Sequence, residues 1–145
     1  MSHSLSRVWI HAVFGTKDRK PLLRPDFAQG VHDHIKTYLE ELGCSVRLIN
    51  GTADHVHLLF LLGHQRSISQ VMKSVKSESS HWINQHDFHP AKFAWQVGYG
   101  LFSVSESGVE KVERYIEGQK EHHRNVTFRE EFDYFMRKYD LKEYR

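Results

Sequence analysis

The chain has little of what stabilises secreted or membrane-embedded proteins. Its 145 residues include a single cysteine, Cys44, so no disulfide can form within the chain, which favours a reducing compartment. No apolar run approaches the roughly 18 residues needed to span a bilayer, and the first residues lack the basic and apolar regions of a signal peptide. We therefore expect one soluble domain over residues 1–145, located in the cytoplasm.

Two further absences narrow the function. The chain has no glycine-rich loop of the P-loop kind, so we expect chemistry that does not use ATP. The net charge is only +2, which by itself is a weak argument for a nucleic-acid partner. Its distribution says more, because residues 16–21 concentrate Lys17, Arg19 and Lys20. Such a loop can neutralise phosphates, and an ordinary solvated turn fits equally well. We take these three residues as candidate DNA contacts.

Hydrophobic periodicity predicts an alternation of strands and helices. Strands are expected at about residues 7–14, 44–49, 54–60 and 99–104, and helices at about 25–42, 67–83, 109–123 and 128–138. Asn50-Gly51 predicts a tight turn between the second and third strands. Ser67 is expected to cap the second helix, and the residues from Ser107 to Glu110 form a capping-box pattern for the third.

This order of elements predicts an α+β fold. Its β-α-β-β-α-β core is ferredoxin-like, as in RNA-recognition-motif (RRM-like) domains: a four-stranded antiparallel sheet with two helices on one face. Additional C-terminal helices follow. The third strand is apolar on one face and mostly apolar on the other, so it should be central in the sheet. The third helix is the candidate to cover the remaining face.

The third strand carries two histidines separated by one residue. Successive strand side chains point to opposite faces, so His55 and His57 project from the same face and can share a metal ion. Taken alone, a His-x-His pair is more often two polar residues on an exposed strand face. The metal interpretation therefore needs a further ligand.

The third helix offers that ligand and a nucleophile. Tyr115 and Gln119 are four residues apart, so they lie on one helix face. If that face covers the histidines, the Gln119 amide oxygen completes a three-ligand open site. Nitrogen and oxygen ligands suit Mn²⁺ and accept Mg²⁺, whereas the absence of a thiolate or carboxylate ligand disfavours Zn²⁺.

A tyrosine beside such a site can attack a phosphodiester whose phosphorus the metal makes more electrophilic. Tyr99 is the main rival nucleophile, although its position between two glycines is typical of a packing or turn residue. His11 fits a packed histidine equally well. His122 and His123 are consistent with surface residues near a helix end.

Four blocks of the chain, in this order, together resemble the single-tyrosine HUH transposases of the insertion sequence 200/605 type, often called transposase A. The blocks are WIHAVFGTKDR at residues 9–19, DHVHLL at 54–59, GYGLFSVS at 98–105, and the pattern Y-I-x-x-Q-x-x-H-H at 115–123. The histidine pair alone has many false positives, whereas the ordered set is specific and covers most of the chain.

The resemblance implies that His55, His57 and Gln119 bind Mg²⁺ or Mn²⁺. It implies that Tyr115 is the nucleophile, forming a 5′-phosphotyrosine and leaving a free 3′-OH on single-stranded DNA that carries hairpins near the element ends. It also implies a homodimer in which the tyrosine helix of one subunit can complete the site of the other. Related domesticated proteins act on dispersed repeats, and some are monomers.

Two alternatives remain open at the level of sequence. A metal-dependent phosphodiesterase that uses water would need the same ligands, with Tyr115 only orienting the substrate. A domesticated or inactive single-stranded nucleic-acid-binding regulator would use the sheet and the basic loop without cleavage.

Overall fold

The protein is built around a four-stranded antiparallel sheet, as the sequence predicts. The computed structural model describes residues 4–86, 91–119, 127, 129–131 and 133–134. The strands are β1 (Trp9–Gly15), β2 (Ser45–Thr52), β3 (His55–Leu61) and β4 (Gly100–Val104), and the helices are α1 (Pro25–Glu41), α2 (Ile68–Asn84) and α3 (Val109–Glu117). The strand order is β2-β3-β1-β4, which makes β3 central and gives the expected α+β, ferredoxin-like arrangement.

The β2–β3 hairpin turns later than predicted. Asn50 and Gly51 lie within β2, paired with His57 and Val56, and the turn is formed by residues 53–54. The glycine serves close packing instead of a turn. A Cβ on Gly51 would lie 2.2 Å from the carbonyl oxygen of His55 and 2.9 Å from Val56 Cα, so only glycine permits this approach of the two backbones.

Helices α1 and α2 pack on one face of the sheet. Pro25 occupies the first turn of α1 as expected, and Gly43, just beyond its end, adopts a φ of +88°, the left-handed geometry that commonly follows a helix. Ser67 caps α2 in a complete capping box with Gln70. The shared core contains apolar side chains from both helices and the inward face of the sheet, including Ile10, Phe14, Val31, Ile35, Leu39, Leu58, Phe60, Met72 and Val75.

Helix α3 covers the opposite face, as predicted. A smaller apolar cluster joins Val109 and Ile116 of α3 to Trp9 of β1 and Leu59 of β3. The predicted capping box at Ser107 is wrong: a 3-10 turn (Glu106–Gly108) precedes α3, and no side chain caps the helix. The turn takes up the residues that would have formed that cap.

The last part of the chain is described only in short pieces. Residues 129–131 and 133–134 are helical, in agreement with the predicted helix at 128–138, most of which lies outside the described residues. The predicted third helix runs without a break to residue 123, whereas α3 ends at Glu117 with Gly118 as its C-cap; residues 120–123 lie outside the described residues. Among the described helices, none is both long and apolar enough to cross a membrane.

Candidate active site

The third strand places the two histidines under α3. His55 and His57 are both fully buried, and they lie on the same face of β3 as Leu59, which packs against α3. Their ring centroids are 5.1 Å apart. The sequence-based expectation that these side chains share a face, and that α3 covers them, is therefore confirmed by the geometry.

The tautomer of His55 is set by its neighbours on the hairpin. Its Nδ1 lies 2.8 Å from Asp54 Oδ1 and 2.9 Å from Thr52 Oγ1. The Thr52 hydroxyl donates its own proton to Asp54, so both oxygens are acceptors and Nδ1 carries the proton. In a neutral imidazole, Nε2 then directs its lone pair into the site.

His57 is oriented by His11, whose role the sequence left open. His57 Nδ1 lies 2.8 Å from His11 Nε2, and the two rings stack with centroids 5.1 Å apart. Burial, followed by the charge of His57, lowers the pKa of His11 to about 3, against a smaller opposing effect of Glu131. A neutral His11 can accept the Nδ1 proton of His57, so that in a neutral His57 the lone pair of Nε2, on the side of Glu131, is available to a cation.

Tyr115 on helix α3 and Gln119, two residues beyond the last residue of that helix, lie over the histidines of the same chain. The Tyr115 ring lies 5.8 Å from that of His57, and Gln119 Oε1 lies 3.1 Å from His55 Nε2. Asn50 holds the end of this helix, because its Nδ2 donates to the carbonyls of Ile116 and Glu117. Tyr115 and Gln119 therefore meet the two histidines of β3 within one protomer, as the sequence predicts.

A buried carboxylate, Glu131, completes the cluster and was missed by the sequence analysis. It is 3 % exposed. Its Oε1 lies 3.0 Å from His57 Nε2 and 3.9 Å from His55 Nε2, while its Oε2 accepts a hydrogen bond from the Tyr115 hydroxyl. A signal was available: Phe128, Glu131, Phe132 and Phe135 follow the i, i+3, i+4, i+7 pattern of one helix face, so Glu131 falls on an apolar stripe.

The donor atoms fit a divalent cation. Two imidazole nitrogens, a carboxamide oxygen and a carboxylate oxygen converge, with the measured neighbour separations between 3.0 and 3.9 Å. Adjacent ligands of a six-coordinate ion with bonds near 2.1 Å are about 3 Å apart. His55 Nε2 and Gln119 Oε1 lie 3.1 Å apart, a close approach of two lone-pair atoms that a cation bound by both would make favourable. Independently of Gln119, the set His55, His57 and Glu131 has the composition of a metal site.

The carboxylate changes one argument about the identity of the metal. Zinc was disfavoured because the sequence showed no carboxylate ligand, and Glu131 removes that reason, since two histidines and a glutamate are a known catalytic zinc set. Mg²⁺ and Mn²⁺ remain compatible with the mixed oxygen and nitrogen donors. The site could therefore hold a divalent cation, and the donor set alone does not choose among the three.

Tyr115 is held protonated by its surroundings. Burial is the largest effect that raises the pKa of its hydroxyl, followed by the hydrogen bond to Glu131 and the negative charge there; Gln119 opposes these effects. A phenol in this state is a weak nucleophile, because the phenolate is the reactive form. It needs a group that removes its proton, a more electrophilic target, or both.

The remaining candidates lie elsewhere. Lys17, Arg19 and Lys20 are exposed. The first two lie on a 3-10 turn (Lys17–Arg19) and Lys20 directly follows it. The turn comes after β1, whose last residue, Gly15, pairs with His55. The basic loop therefore borders the site. Tyr99 packs against the core on the α1–α2 side of the sheet, away from the histidines. His122 and His123 fall outside the described residues.

Comparisons with known proteins point to one group. The sequence profile described as "Transposase IS200 like" matches residues 4–119. The ISDra2 transposase TnpA of Deinococcus radiodurans is 25% identical over 114 residues, covering 75% of this chain and 81% of that protein.

Two solved structures share the fold. A crystal structure of a Deinococcus radiodurans R1 protein assigned as a transposase has a TM-score of 0.66 and 23% identity, covering 82% of this chain and 95% of its own. A REP-associated tyrosine transposase bound to a REP hairpin has a TM-score of 0.53 and 14% identity, covering 82% and 70% of the two chains.

Proposed function

Because the chain belongs to the family of IS200-like transposases, we propose that it cleaves and rejoins single-stranded DNA by transesterification through Tyr115. One observation carries the proposal: the Tyr115 hydroxyl and His57 Nε2 contact the two oxygens of the same buried carboxylate. A nucleophile and a set of metal-binding atoms thus meet in one place, away from bulk water.

The roles follow from chemistry and position. Tyr115 attacks the scissile phosphate, so that its oxygen becomes the 5′-phosphotyrosine link and a free 3′-OH is released. His55, His57 and Gln119 would hold Mg²⁺ or Mn²⁺, with Glu131 as a further oxygen ligand. A divalent cation bound there would polarise the phosphate and stabilise the charge that develops on its oxygens. The covalent link conserves the energy of the broken bond, so rejoining needs no ATP.

The DNA partner is proposed to carry a hairpin. One structural relative is bound to a REP hairpin, and in this chain the exposed Lys17, Arg19 and Lys20 border the site. These basic side chains can contact the phosphates of a DNA strand that enters between the loop and α3. The proposal also includes a cytoplasmic location, where DNA is present, and a single domain.

The proposal is tested with single-stranded oligonucleotides that tile the DNA on either side of the encoding gene. Each is incubated with the full chain and Mn²⁺, then run on a denaturing gel. Wild type should form a covalent adduct with at least one hairpin-bearing oligonucleotide, and Tyr115→Phe should form none. Cleavage without an adduct in both proteins would favour a phosphodiesterase using water; binding without cleavage at any Mn²⁺ concentration would favour a regulator.

The basic loop is tested by the salt dependence of binding. For a single strand, each phosphate that a cation of the protein neutralises contributes about 0.7 to the slope of log K against log salt. Lys17→Ala and Arg19→Ala should each flatten the slope by about that amount. A slope equal to that of wild type in both variants would remove the loop from the proposed interface.

The homodimer stays part of the proposal and has its own test. All described residues of the site come from one chain, so a monomer could assemble it. Light scattering on the free and DNA-bound protein gives the oligomeric state. Mixing Tyr115→Phe with a His57→Ala variant shows whether sites are shared, because only a shared site restores adduct formation in the mixture.

A further inference from the structure

We propose that Glu131 is a second catalytic residue, which accepts the phenolic proton of Tyr115 while the Tyr115 oxygen attacks phosphorus. The inference rests on the proposed function and adds a residue to it. Glu131 lies beyond residues 4–119, the part of the chain that matches the family profile. Its role is therefore read from this structure alone.

The contact already has the geometry of proton transfer. The Tyr115 hydroxyl donates directly to Glu131 Oε2, and a general base must lie within hydrogen-bond distance of the proton it removes. The carboxylate is 3 % exposed, so water competes little for that oxygen. The carboxylate of Asp54 is engaged with Thr52 and His55 instead.

The two oxygens of Glu131 divide two tasks. Oε1 lies against His57 Nε2, on the side of the metal-binding atoms, and Oε2 lies against the nucleophile. One carboxylate can therefore lend an oxygen to a cation and still receive a proton on the other oxygen. With a cation bound to the histidines, this arrangement would hold the Tyr115 oxygen close to a phosphate on that cation, which is the proximity that in-line attack needs.

The proton and electron pairs balance in both directions. In cleavage the Tyr115 Oη–P bond forms, the proton passes from Oη to Glu131 Oε2, and the P–O3′ bond breaks. The 3′ oxygen leaves with the electron pair and takes a proton from water. In rejoining, an incoming 3′-OH attacks the phosphotyrosine and loses its proton to water, while the departing Tyr115 oxygen takes its proton back from Glu131.

The test uses the oligonucleotide that gives an adduct with wild type, at saturating Mn²⁺. Glu131→Gln keeps the size of the side chain and an oxygen that can bind a metal, but the amide cannot accept the phenolic proton of Tyr115. Single-turnover adduct formation should slow by about 10²–10⁴-fold, the usual contribution of a general base. Glu130→Gln is the matched control: Glu130 is the exposed neighbour, and the amide can still accept the hydrogen bond from Thr127.

A more acidic nucleophile separates a base from a mere ligand. Difluorotyrosine at position 115 ionises more readily than tyrosine, so it needs less help from a base. In the Glu131→Gln chain it should restore the rate by at least about tenfold, with a much smaller change when Glu131 is present. An equal fall in rate with tyrosine and difluorotyrosine, or a Glu131→Gln rate equal to wild type, would overturn the assignment.

A second measurement applies if the variant does not fold. If circular dichroism shows that Glu131→Gln is unfolded, a series of fluorotyrosines at position 115 is compared with Glu131 intact. Assistance by a base predicts a weak dependence of rate on phenol acidity, and a steep dependence contradicts it. If no oligonucleotide yields an adduct with wild type, the proposed function itself fails, which is a different result from a failure of Glu131 alone.

Discussion

Replacing Gly51 by alanine should destabilise the domain and damage the proposed metal site together. The added Cβ would lie 2.2 Å from the His55 carbonyl oxygen and 2.9 Å from Val56 Cα. Both atoms belong to the backbone, so β2 must move away from β3. Overpacking of this kind costs about 1–3 kcal/mol. The atoms that the new Cβ meets belong to His55 and its neighbour on β3, so the separation of the strands should also shift His55 Nε2, a proposed metal ligand.

The same substitution at Gly30 provides the control, with the opposite sign. Gly30 lies inside α1, and its new Cβ would make one ordinary contact, 3.8 Å from Trp82 Cη2. Alanine in a helix interior is about 0.5–1 kcal/mol more favourable than glycine. Gly30→Ala should therefore raise the free energy of unfolding and leave Mn²⁺ affinity unchanged.

Thermal unfolding and a Mn²⁺ titration measure both effects. For a chain of this size, 1 kcal/mol corresponds to about 2–4 °C in Tm, so Gly51→Ala should melt several degrees below wild type and Gly30→Ala slightly above. A Gly51→Ala protein as stable as wild type would refute the close approach of the two backbones. Reduced stability with unchanged Mn²⁺ affinity would refute the link from this glycine to His55.

Three further predictions concern residues around the site and core. His11→Phe removes the acceptor for His57 Nδ1 and should weaken Mn²⁺ binding, followed by electron paramagnetic resonance, about 10–100-fold. His11→Gln keeps an acceptor and should retain more affinity. Equal losses of Mn²⁺ affinity in the two variants would contradict the role of the acceptor. Asn50→Ala should cost about 1 kcal/mol of stability and should speed amide hydrogen exchange selectively at the end of α3. An equal increase in exchange throughout the domain would contradict the contact between Asn50 and this helix end. Burial raises the pKa of the Cys44 thiol, so above a pH of about 9 the thiol ionises more readily in the unfolded chain and the free energy of unfolding should fall. Urea titrations should show a weaker decline for Cys44→Ala. An unchanged decline in that variant would assign it to other groups.

The sequence predicted the elements whose periodicity is strong. Val56, Leu58 and Phe60 alternate with His55 and His57, and a period of two allows only one division between faces. The helical period likewise predicts the position of Tyr115 on α3, whereas Gln119 reaches the histidines from just beyond the end of that helix. These patterns depend on local geometry, so they could be read without knowing what the other face contacts.

Contacts between distant segments were beyond such patterns. Asn50-Gly51 is a frequent turn signal, yet here the asparagine holds the end of α3 and the glycine admits a neighbouring strand. Nothing local distinguishes the two uses, because both partners lie far away or across the hairpin. His11 likewise takes its role from a strand more than forty residues later.

Glu131 shows a different limit. It follows Glu130, and one carboxylate is buried while the other is exposed. The apolar stripe that includes Phe128 and Phe132 could have separated them. A charged residue on such a stripe is an informative signal, because burial of a carboxylate is costly unless it is paired.

The two faces of the sheet are covered by unequal amounts of buried structure, so activity and overall fold should be lost at different temperatures. Helices α1 and α2 share a large core, whereas the described residues attach α3 by a few buried side chains, the Asn50 and Tyr115 contacts and an exposed ion pair between Arg47 and Glu113. Segments with few buried contacts open at a lower free energy than the whole domain. Activity measured on warming should therefore disappear before circular dichroism records unfolding, and should return on cooling because the sheet that receives α3 has stayed intact.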